Sequence, residues 1–329
     1  MKKKIFAIAA AAVLSLSLAA CGSGGADSAD SGSASGEEKY LVGVCQLVQH
    51  EALDAATAGF EQALIDELGD AVQFDEQNAS GEAANCSTII NGFLSKDVDL
   101  IMANATPALT AAASATSDVP ILGTSVTAYS AALDLDDATF TGVVGGNISG
   151  TSDIPPLDQQ AKMIVDWVPD AKTAGIIYCT AEANSAYQVK VISEELANLG
   201  VSVKEYSFTD SNDIASVTTK AVGEVDVIYL PTDNTVASNT ETIANIVIPA
   251  KVPVIAGEVG IMNSCGIASL SISYYDLGYT TGKMAAKILT GEANISEMPI
   301  EYTDVTAVYN PDLCSQYGIT PLEGYEPAE

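Results

Sequence analysis

Acidic side chains stand beside hydroxyl and amide side chains in several short segments of this sequence. The acids are Asp153, Asp233 and Glu258. The neutral hydrogen-bonding residues in such segments include Thr106, Thr151, Ser152, Asn184, Ser185 and Asn234. Carboxylates bind ammonium groups, whereas hydroxyls and the backbone N–H groups at helix N-termini bind a carboxylate without a cationic side chain. If these segments meet in space, they predict a site for a zwitterion such as an amino acid.

Each acid also has a structural alternative, because a side chain just before a helix can cap the first N–H groups of that helix. Asp153 and Asp233 suit either role. Glutamate is not among the preferred N-cap residues. We therefore expect Glu258 to be the acid that faces a ligand.

Positive charge is scarce in this chain. The formal net charge is -30, and there is no arginine. The segments with the acids and hydroxyls contain no lysine either. A phosphorylated or polyanionic ligand would lose its hydration there without a countercharge. The same charge balance argues against nucleic acid or an anionic lipid surface as a direct partner of the folded part.

An enzyme is the first alternative, since Cys45 and His50 lie in one segment and acids are plentiful. The sequence contains no GxSxG, HExxH, P-loop or GxGxxG motif. His50 is the only histidine, and the cysteines form no CxxC pair, so a metal site has few ligands to draw on. We predict a binding protein that is not an enzyme, with no metal and no cofactor, and with buried, unpaired thiols beyond Cys21.

Short runs rich in β-branched residues alternate with amphipathic stretches along the chain. The runs predict strands at residues 40–48, 98–103, 119–122, 174–178, 225–230 and 252–256, and the stretches predict helices at 53–68, 183–199 and 235–246. Such alternation is typical of parallel sheets flanked by helices, whose ligands bind at the carboxyl ends of the strands. The motif order of residues 98–123 recurs in residues 225–256, which indicates two similar lobes.

The N-terminus predicts export and a lipid anchor. Residues 1–20 combine three lysines with an apolar run too short to cross a bilayer, as in a secretory signal peptide. The sequence Leu-Ala-Ala-Cys that ends at Cys21 resembles the lipobox of bacterial lipoproteins. Residues 21–38 are mainly glycine, serine, alanine and acidic residues and predict a lipidated, flexible linker. We expect an extracytoplasmic protein attached to the cell membrane through Cys21.

Several segments together resemble the ABC-transporter substrate-binding family whose studied members bind tryptophan, tyrosine or phenylalanine. They are residues 43–50 (GVCQLVQH), 147–153 (NISGTSD), 182–185 (EANS), 231–236 (PTDNTV) and 274–278 (YYDLG). The resemblance implies that the ligand's carboxylate is bound by Thr151, Ser152, Asn184 and Ser185. It implies that Asp233 and Glu258 bind the ammonium group and that Gln46 and His50 face the side chain. Thr106 and Asn234 complete the predicted site.

The resemblance also implies an α/β architecture, the two-lobed type I periplasmic-binding-protein fold, with a parallel sheet flanked by helices in each lobe and the cleft at the hinge. Lobe 1 is predicted at residues 39–146 and 263–296, and lobe 2 at residues 147–262 and 297–329. The family's members close on their ligand by a hinge motion and deliver it to the permease of an ABC importer. We expect a monomer that has such a permease as its protein partner.

Alternatives within the same fold are a sugar or nucleoside ligand, or presentation of the ligand to a membrane sensor. The family's proline after the histidine is Glu51 here, and its Asp-Pro pair is Ala128-Tyr129. Tyr129 suits either a stacking face for the ligand or an exposed loop. Sugar sites usually present aromatic faces, but the only tryptophan, Trp167, lies on a predicted helix where core packing is its expected role.

Overall fold

The computed structural model describes residues 39–328. The predicted signal peptide, residues 1–20, and the predicted linker, residues 21–38 with Cys21, lie outside the described residues. In the described part of the chain, no helix has both the length and the apolar character that crossing a membrane requires.

The first sheet has five parallel strands in the order β2-β1-β3-β4-β5. They are β1 (Tyr40–Gln46), β2 (Val72–Asn78), β3 (Leu100–Asn104), β4 (Ile121–Val126) and β5 (Ile148–Ser152). We call this sheet and the helices that flank it lobe 1. Strands predicted from β-branched runs correspond to β1, β3 and β4, whereas β2 and β5 were not predicted.

The second sheet has seven strands in the order β12-β11-β10-β9-β8-β6-β7. They are β6 (Thr173–Cys179), β7 (Ser202–Phe208), β8 (Val227–Leu230), β9 (Val254–Ala256), β10 (Ala268–Ile272), β11 (Val305–Tyr309) and β12 (Glu326–Pro327). This sheet and its helices form lobe 2. Its pairs are parallel except β10 with β11, which is antiparallel, so the sheet is mostly rather than fully parallel.

Helices connect most of the strands. They are α1 (Glu51–Leu68), α2 (Ala83–Leu94), α3 (Thr106–Ala115), α4 (Tyr129–Ala132), α5 (Leu157–Trp167), α6 (Ala183–Asn198), α7 (Ile214–Val222), α8 (Asn234–Ala237), α9 (Thr240–Ala250), α10 (Val259–Cys265), α11 (Tyr274–Leu289) and α12 (Pro311–Tyr317). The single helix predicted at residues 235–246 is therefore two helices. At the break between them, the Asn239 side-chain amide donates to the Thr235 carbonyl at 2.8 Å.

Each sheet is buried on both faces, which explains why its central strands are nearly continuous apolar runs. In β3, Ile101 packs on one face with Phe93 of α2. Met102, the next residue, packs on the other face with Phe60 of α1. This alternation follows from the two-residue repeat of a strand. Trp167 lies in the lobe 2 core beside Tyr309 and Tyr325, as the sequence predicted.

The chain passes between the lobes three times. The first crossing runs from β5 to α5, the second from β10 to α11, and the third precedes β11. The predicted lobe boundaries differ from the strand pairing at three places. Residues 300–301, predicted in lobe 2, pair with β5 and the segment before it and lie in lobe 1. Residues 148–152 pair with β4 and lie in lobe 1, and residues 268–272 pair with β9 and β11 and lie in lobe 2.

The second crossing returns α11 to lobe 1, where it packs along α1. Glycines allow the backbones of α1 and α11 to come into direct contact. A Cβ atom at Gly278 of α11 would collide with the backbone carbonyl of Ala56, and one at Gly59 of α1 would collide with that of Tyr275. The two helix backbones therefore touch without side chains between them, and α11 is a fixed part of lobe 1.

Candidate functional site

A small cavity lies between the two lobes, beside the first and second chain crossings. It is lined by residues that follow strands or begin helices: His50, Leu53, Ser125, Thr127, Asp153, Asn184, Thr232, Asp233, Asn234, Ala237, Glu258 and Tyr274. The strand-end segments thus converge in space. No lysine or arginine is among these described lining residues, so none of them carries a permanent positive charge.

Four buried polar atoms of this cavity have no hydrogen-bond partner among residues 39–328. They are Ser125 Oγ, Asp153 Oδ1, Asn184 Oδ1 and Thr232 Oγ1. An unpaired buried polar atom costs about 1–3 kcal/mol, so native proteins rarely keep several of them together. Two of the atoms are pure acceptors, and two are hydroxyls that can donate. The group therefore has the chemistry to bind a cation and an anion side by side.

Asp153 is the acid with a free oxygen. Its Oδ2 atom accepts a hydrogen bond from the Tyr274 hydroxyl at 2.9 Å, and Oδ1 has no partner. Asp153 does not cap α5, because that helix begins only after Pro155 and Pro156. Burial raises the pKa of Asp153, and the hydrogen bond from Tyr274 and the neighbouring Thr127 side chain act in the opposite direction. A bound cation would stabilise the charged carboxylate.

Asp233 is an N-cap. Its Oδ1 atom accepts from the Val236 N–H at 2.9 Å at the start of α8. Its Oδ2 atom accepts from the Cys179 N–H and from the Ser185 hydroxyl, each at 2.7 Å. Burial and the charge of Glu182 raise the pKa of Asp233 to about 7. Both oxygens are thus already used within lobe 2.

Glu258 is also an N-cap, which corrects the expectation that it would not be one. Its Oε1 atom accepts from the Ile261 N–H and its Oε2 atom from the Gly260 N–H, each at 2.7 Å. The extended backbone before α10 lets the longer side chain fold back over the first turn. Burial raises the pKa of Glu258 to about 7. Glu258 lines the cavity, but each of its oxygens has a backbone donor.

Glu182 was not among the predicted site residues, yet it organises the lobe 2 side of the cavity. This buried carboxylate accepts from the side-chain amides of Asn184 and Asn234, at 3.2 and 2.6 Å. It also accepts from the Thr235 N–H and hydroxyl, at 2.9 and 2.8 Å. Because the Asn184 amide nitrogen donates to Glu182 and to the Thr232 carbonyl, its oxygen is left as the free atom in the cavity.

His50 joins the two lobes. Its Nε2 atom lies 3.2 Å from Asn234 Oδ1, so the end of the β1 segment meets the start of α8. Burial lowers the pKa of His50, although the Asn234 hydrogen bond and the carboxylates of Glu182 and Asp54 oppose this. The His50 side chain makes no capping hydrogen bond to α1. Its hydrogen bond is an interlobe contact at the rim of the cavity.

A larger chamber adjoins the cavity and shares His50, Ala237 and Glu258 with it. Its volume is about 450 Å³, whereas the cavity itself retains only about 10 Å³, roughly the space of one water molecule. The other chamber residues are Gln49, Glu51, Ser238, Asn239, Thr240, Glu241, Thr242 and Gly260. Most of its lining is polar.

Residues 41–324 match the family model of the ABC transporter substrate binding proteins. The chain belongs to this family. A relative described as a tyrosine-binding protein of Clostridioides difficile is 34% identical over 322 residues, covering 93% of this chain and 89% of the relative. The family binds solutes, so this substrate-binding protein is not an enzyme, as the motif analysis predicted.

Solved structures agree with the two-lobed type I fold that the sequence predicted. A Streptococcus pneumonia domain in complex with L-Trp is 31% identical, with a TM-score of 0.82 over 87% of this chain and 96% of that one. The ligand-free, open structure of a Clostridium difficile substrate-binding protein with adhesive properties is 36% identical. It has a TM-score of 0.66 over 88% of this chain and 99% of that one.

Half of the predicted site residues of this substrate-binding protein line the cavity. They are His50, Asn184, Asp233, Asn234 and Glu258. The other half do not: Gln46, Thr106, Thr151, Ser152 and Ser185. The sequence placed all ten at strand ends, but the direction of each side chain depends on the local backbone.

The five residues away from the cavity have other roles in the fold. Gln46 donates to Asp54 at 2.7 Å and accepts from Thr57 at 2.7 Å, beside β1. Ser152 donates to the Thr127 carbonyl at 2.8 Å. Ser185, as described above, donates to Asp233. Thr106 begins α3 and faces a separate pocket between α2, α3 and the start of α6.

Thr151 belongs to a buried cluster of three threonines. Its hydroxyl lies 2.8 Å from that of Thr281 and 3.3 Å from that of Thr124. These hydroxyls tie α11 to β4 and β5. Tyr129 lies beside them and is neither a stacking face nor exposed, because its buried hydroxyl donates to the carbonyls of Gly123 and Thr151.

The prediction missed Ser125, Thr127, Thr232 and Tyr274 as cavity residues. Ser125 has a positive φ of 53°, next to a register shift in the pairing of β4 with β5. Such a conformation is unfavourable for serine and occurs mainly at functional sites. Its position at the end of a predicted strand was visible in the sequence, but the backbone irregularity that turns its hydroxyl into the cavity was not.

Proposed function

We propose that this substrate-binding protein captures an amino acid in the cavity between its lobes and delivers it to an ABC importer. The four unpartnered polar atoms carry this proposal. Asp153 Oδ1 and Asn184 Oδ1 would accept hydrogen bonds from the ligand's ammonium group. The hydroxyls of Ser125 and Thr232 would donate to its carboxylate. A free amino acid supplies both charges and needs no cationic side chain from the protein.

We further propose that the amino acid is aromatic. The tyrosine-binding relative and the structural neighbour with bound L-Trp support this class. The adjoining chamber is large enough for a ring and contains the carboxylates of Glu51 and Glu241. These acceptors would favour a side chain with a hydrogen-bond donor, so tyrosine and tryptophan should bind more tightly than phenylalanine.

Binding would require the lobes to move apart. The cavity retains too little space for an amino acid to enter while the lobes lie as they do here. The chain resembles the L-Trp complex more closely than the ligand-free, open neighbour, although its identity to the open neighbour is higher. These observations support a cycle in which an open form binds the ligand and a closed form retains it.

The proposed location is outside the cytoplasm, with a diacyl anchor on Cys21 and an ABC permease as partner. The signal-like residues 1–20, the lipobox-like end of that segment and the linker composition of residues 21–38 support this. Labelling of cells with a radioactive fatty acid should mark the native chain. The Cys21→Ser variant should carry no label, and equal labelling of both would contradict the anchor.

Isothermal titration and thermal-shift measurements with the purified protein test the ligand. L-Tyrosine and L-tryptophan should bind and raise the melting temperature by mass action. Two analogues serve as matched controls, N-acetyl-L-tyrosine without the ammonium charge and tyramine without the carboxylate. Both should bind at least about 100-fold more weakly, since each leaves buried polar groups unpaired. Comparable binding of either analogue, or of a sugar or nucleoside, would contradict the proposal.

A further inference from the structure

Asp153 and Tyr274 lie on different hinge crossings. Asp153 directly follows β5, where the chain leaves lobe 1 for lobe 2. Tyr274 is the first residue of α11, where the chain returns from lobe 2 to lobe 1. The hydrogen bond of 2.9 Å between their side chains therefore links two crossings, far apart in sequence, at the point where the lobes join.

The Tyr274 ring is held on both sides of this junction. It packs in a small buried cluster with Ala52 and Ala56 of α1, in lobe 1, and with Ile272 of β10, in lobe 2. Its side chain is 5% exposed, and that of Asp153 is 4% exposed. With the ring fixed, the hydroxyl has one carboxylate oxygen within reach. The other oxygen, Oδ1, remains directed into the cavity without a partner.

We propose that Tyr274 is the positioning residue of the ligand site: by holding Asp153 Oδ2 across the hinge, it directs Oδ1 at the ligand's ammonium group and sets the pH range in which the site binds. This inference rests on the proposed function. A hydrogen bond from a neutral hydroxyl stabilises the charged form of a carboxylate. Without it, a buried carboxyl would keep its proton to a higher pH and could not pair with an ammonium group.

Several titratable groups surround Asp153 and bear on its charge. They are Tyr274 on α11, Tyr129 on α4, Glu258 before α10, Asp233 before α8 and His50 before α1. Among the described residues, Tyr274 donates the one side-chain hydrogen bond to Asp153, and the Thr127 side chain also lowers the pKa of Asp153. A variant that lacks only the Tyr274 hydroxyl keeps all the other titratable groups around Asp153. Any change in pH dependence then reports the Tyr274–Asp153 contact.

The test measures the dissociation constant of L-tyrosine, with L-tryptophan alongside, from about pH 4.5 to about pH 8.5. Tyr274→Phe keeps the ring and removes the hydroxyl. We expect about tenfold weaker binding near neutral pH, and an acid-side midpoint about one pH unit higher than in the unaltered protein. Tyr275→Phe is the matched control, because Tyr275 is the next residue of α11 and is 43% exposed. This control should leave both quantities unchanged.

Incorporation of 3-fluorotyrosine at position Tyr274 gives a second variant if Tyr274→Phe does not fold. Its more acidic hydroxyl donates a stronger hydrogen bond, so the midpoint should move to lower pH. Opposite shifts for the two variants would support the proposal. If the unaltered protein binds and either variant has an unchanged midpoint, the role of Tyr274 is contradicted. If the unaltered protein binds neither amino acid at any pH, the proposed function fails instead.

Discussion

Buried carboxylates line the cavity on two sides, at the chain crossings, where Asp153 lies, and on lobe 2, where Asp233 and Glu258 lie. The two sides differ in how many of the carboxylate oxygens already accept hydrogen bonds. On the hinge side, Asp153 has one oxygen held by Tyr274 and one without a partner. On the lobe 2 side, Asp233 and Glu258 accept backbone N–H groups at the starts of α8 and α10. Burial raises the pKa of all three acids. Proximity to the cavity therefore does not identify the ligand-binding acid, whereas an unfilled hydrogen-bonding position does.

The largest expected effect is a loss of ligand affinity, and it distinguishes Asp153 from Asp233. Asp153→Asn should weaken the binding of L-tyrosine about 100-fold, since it removes one partner of a buried charge pair. Its stability should change little, because the amide oxygen can still accept from Tyr274. Asp233→Ala should instead lower the free energy of unfolding by at least about 2 kcal/mol, because the cap and the hydrogen bonds from the Cys179 N–H and the Ser185 hydroxyl are lost together. Titration calorimetry and urea denaturation measure the two quantities.

Asp158→Asn provides the control for this comparison, because Asp158 is an exposed acid in the first turn of α5. It should alter neither affinity nor stability. If Asp233→Ala abolished binding in a fully stable protein while Asp153→Asn bound normally, the assignment of the two sides would have to be reversed.

An intermediate effect concerns pH. Asp233 and Glu258 have pKa values of about 7 in the folded protein, against about 4 in an unfolded chain. The folded state thus binds more protons between these values, so the free energy of unfolding should fall as the pH rises through about 7. The large negative net charge acts in the same direction. Calorimetry of the ligand-free protein from about pH 5 to about pH 8.5 measures this trend.

The stabilisation by L-tyrosine should have the opposite pH dependence. The ligand needs a charged Asp153, whose pKa is also raised, so the ligand-induced rise in melting temperature should grow with pH over the same range. A ligand-free protein that became more stable with rising pH would show that these buried acids are ionised well below neutral pH. That result would contradict the idea that Asp233 and Glu258 differ from Asp153 in the pH range over which they are charged.

The smallest expected effect concerns a hydroxyl predicted to bind the ligand. Thr151→Val should change the affinity by less than about twofold, because Thr151 bonds to Thr124 and Thr281 away from the cavity. Thr232→Val is the matched substitution in the cavity lining and should weaken binding about fivefold. Titration calorimetry measures the loss of affinity in each variant. A larger loss for Thr151→Val would favour the assignment made from family resemblance.

The sequence predicted the central strands better than the peripheral ones. Strands β3 and β8 are short apolar runs because helices cover both their faces. Strands β2 and β7 lie at sheet edges and carry many exposed polar residues, so they lack that pattern. The register shift in β4 and the antiparallel pairing of β11 depend on contacts between distant segments, which a local pattern does not contain.

The candidate site shows the same limit at the level of single residues. The sequence could place Asp153, Asp233 and Glu258 at strand ends, but not decide which of them caps a helix. One signal was available, because Pro155 and Pro156 delay the start of α5 and so separate Asp153 from it. The caps at Asp233 and Glu258 depend on backbone angles at one residue each. Those angles follow from the packing of the whole lobe.

The return of α11 to lobe 1 has a consequence for the order in which the protein folds. The face of α1 that α11 covers stays exposed until residues 274–289 have been synthesised. Lobe 2 in turn needs β11, which follows α11 in the chain. Lobe 1 therefore cannot be completed before α11 has been synthesised, and lobe 2 cannot be completed before β11, in contrast to proteins whose N-terminal domain folds first as an independent unit.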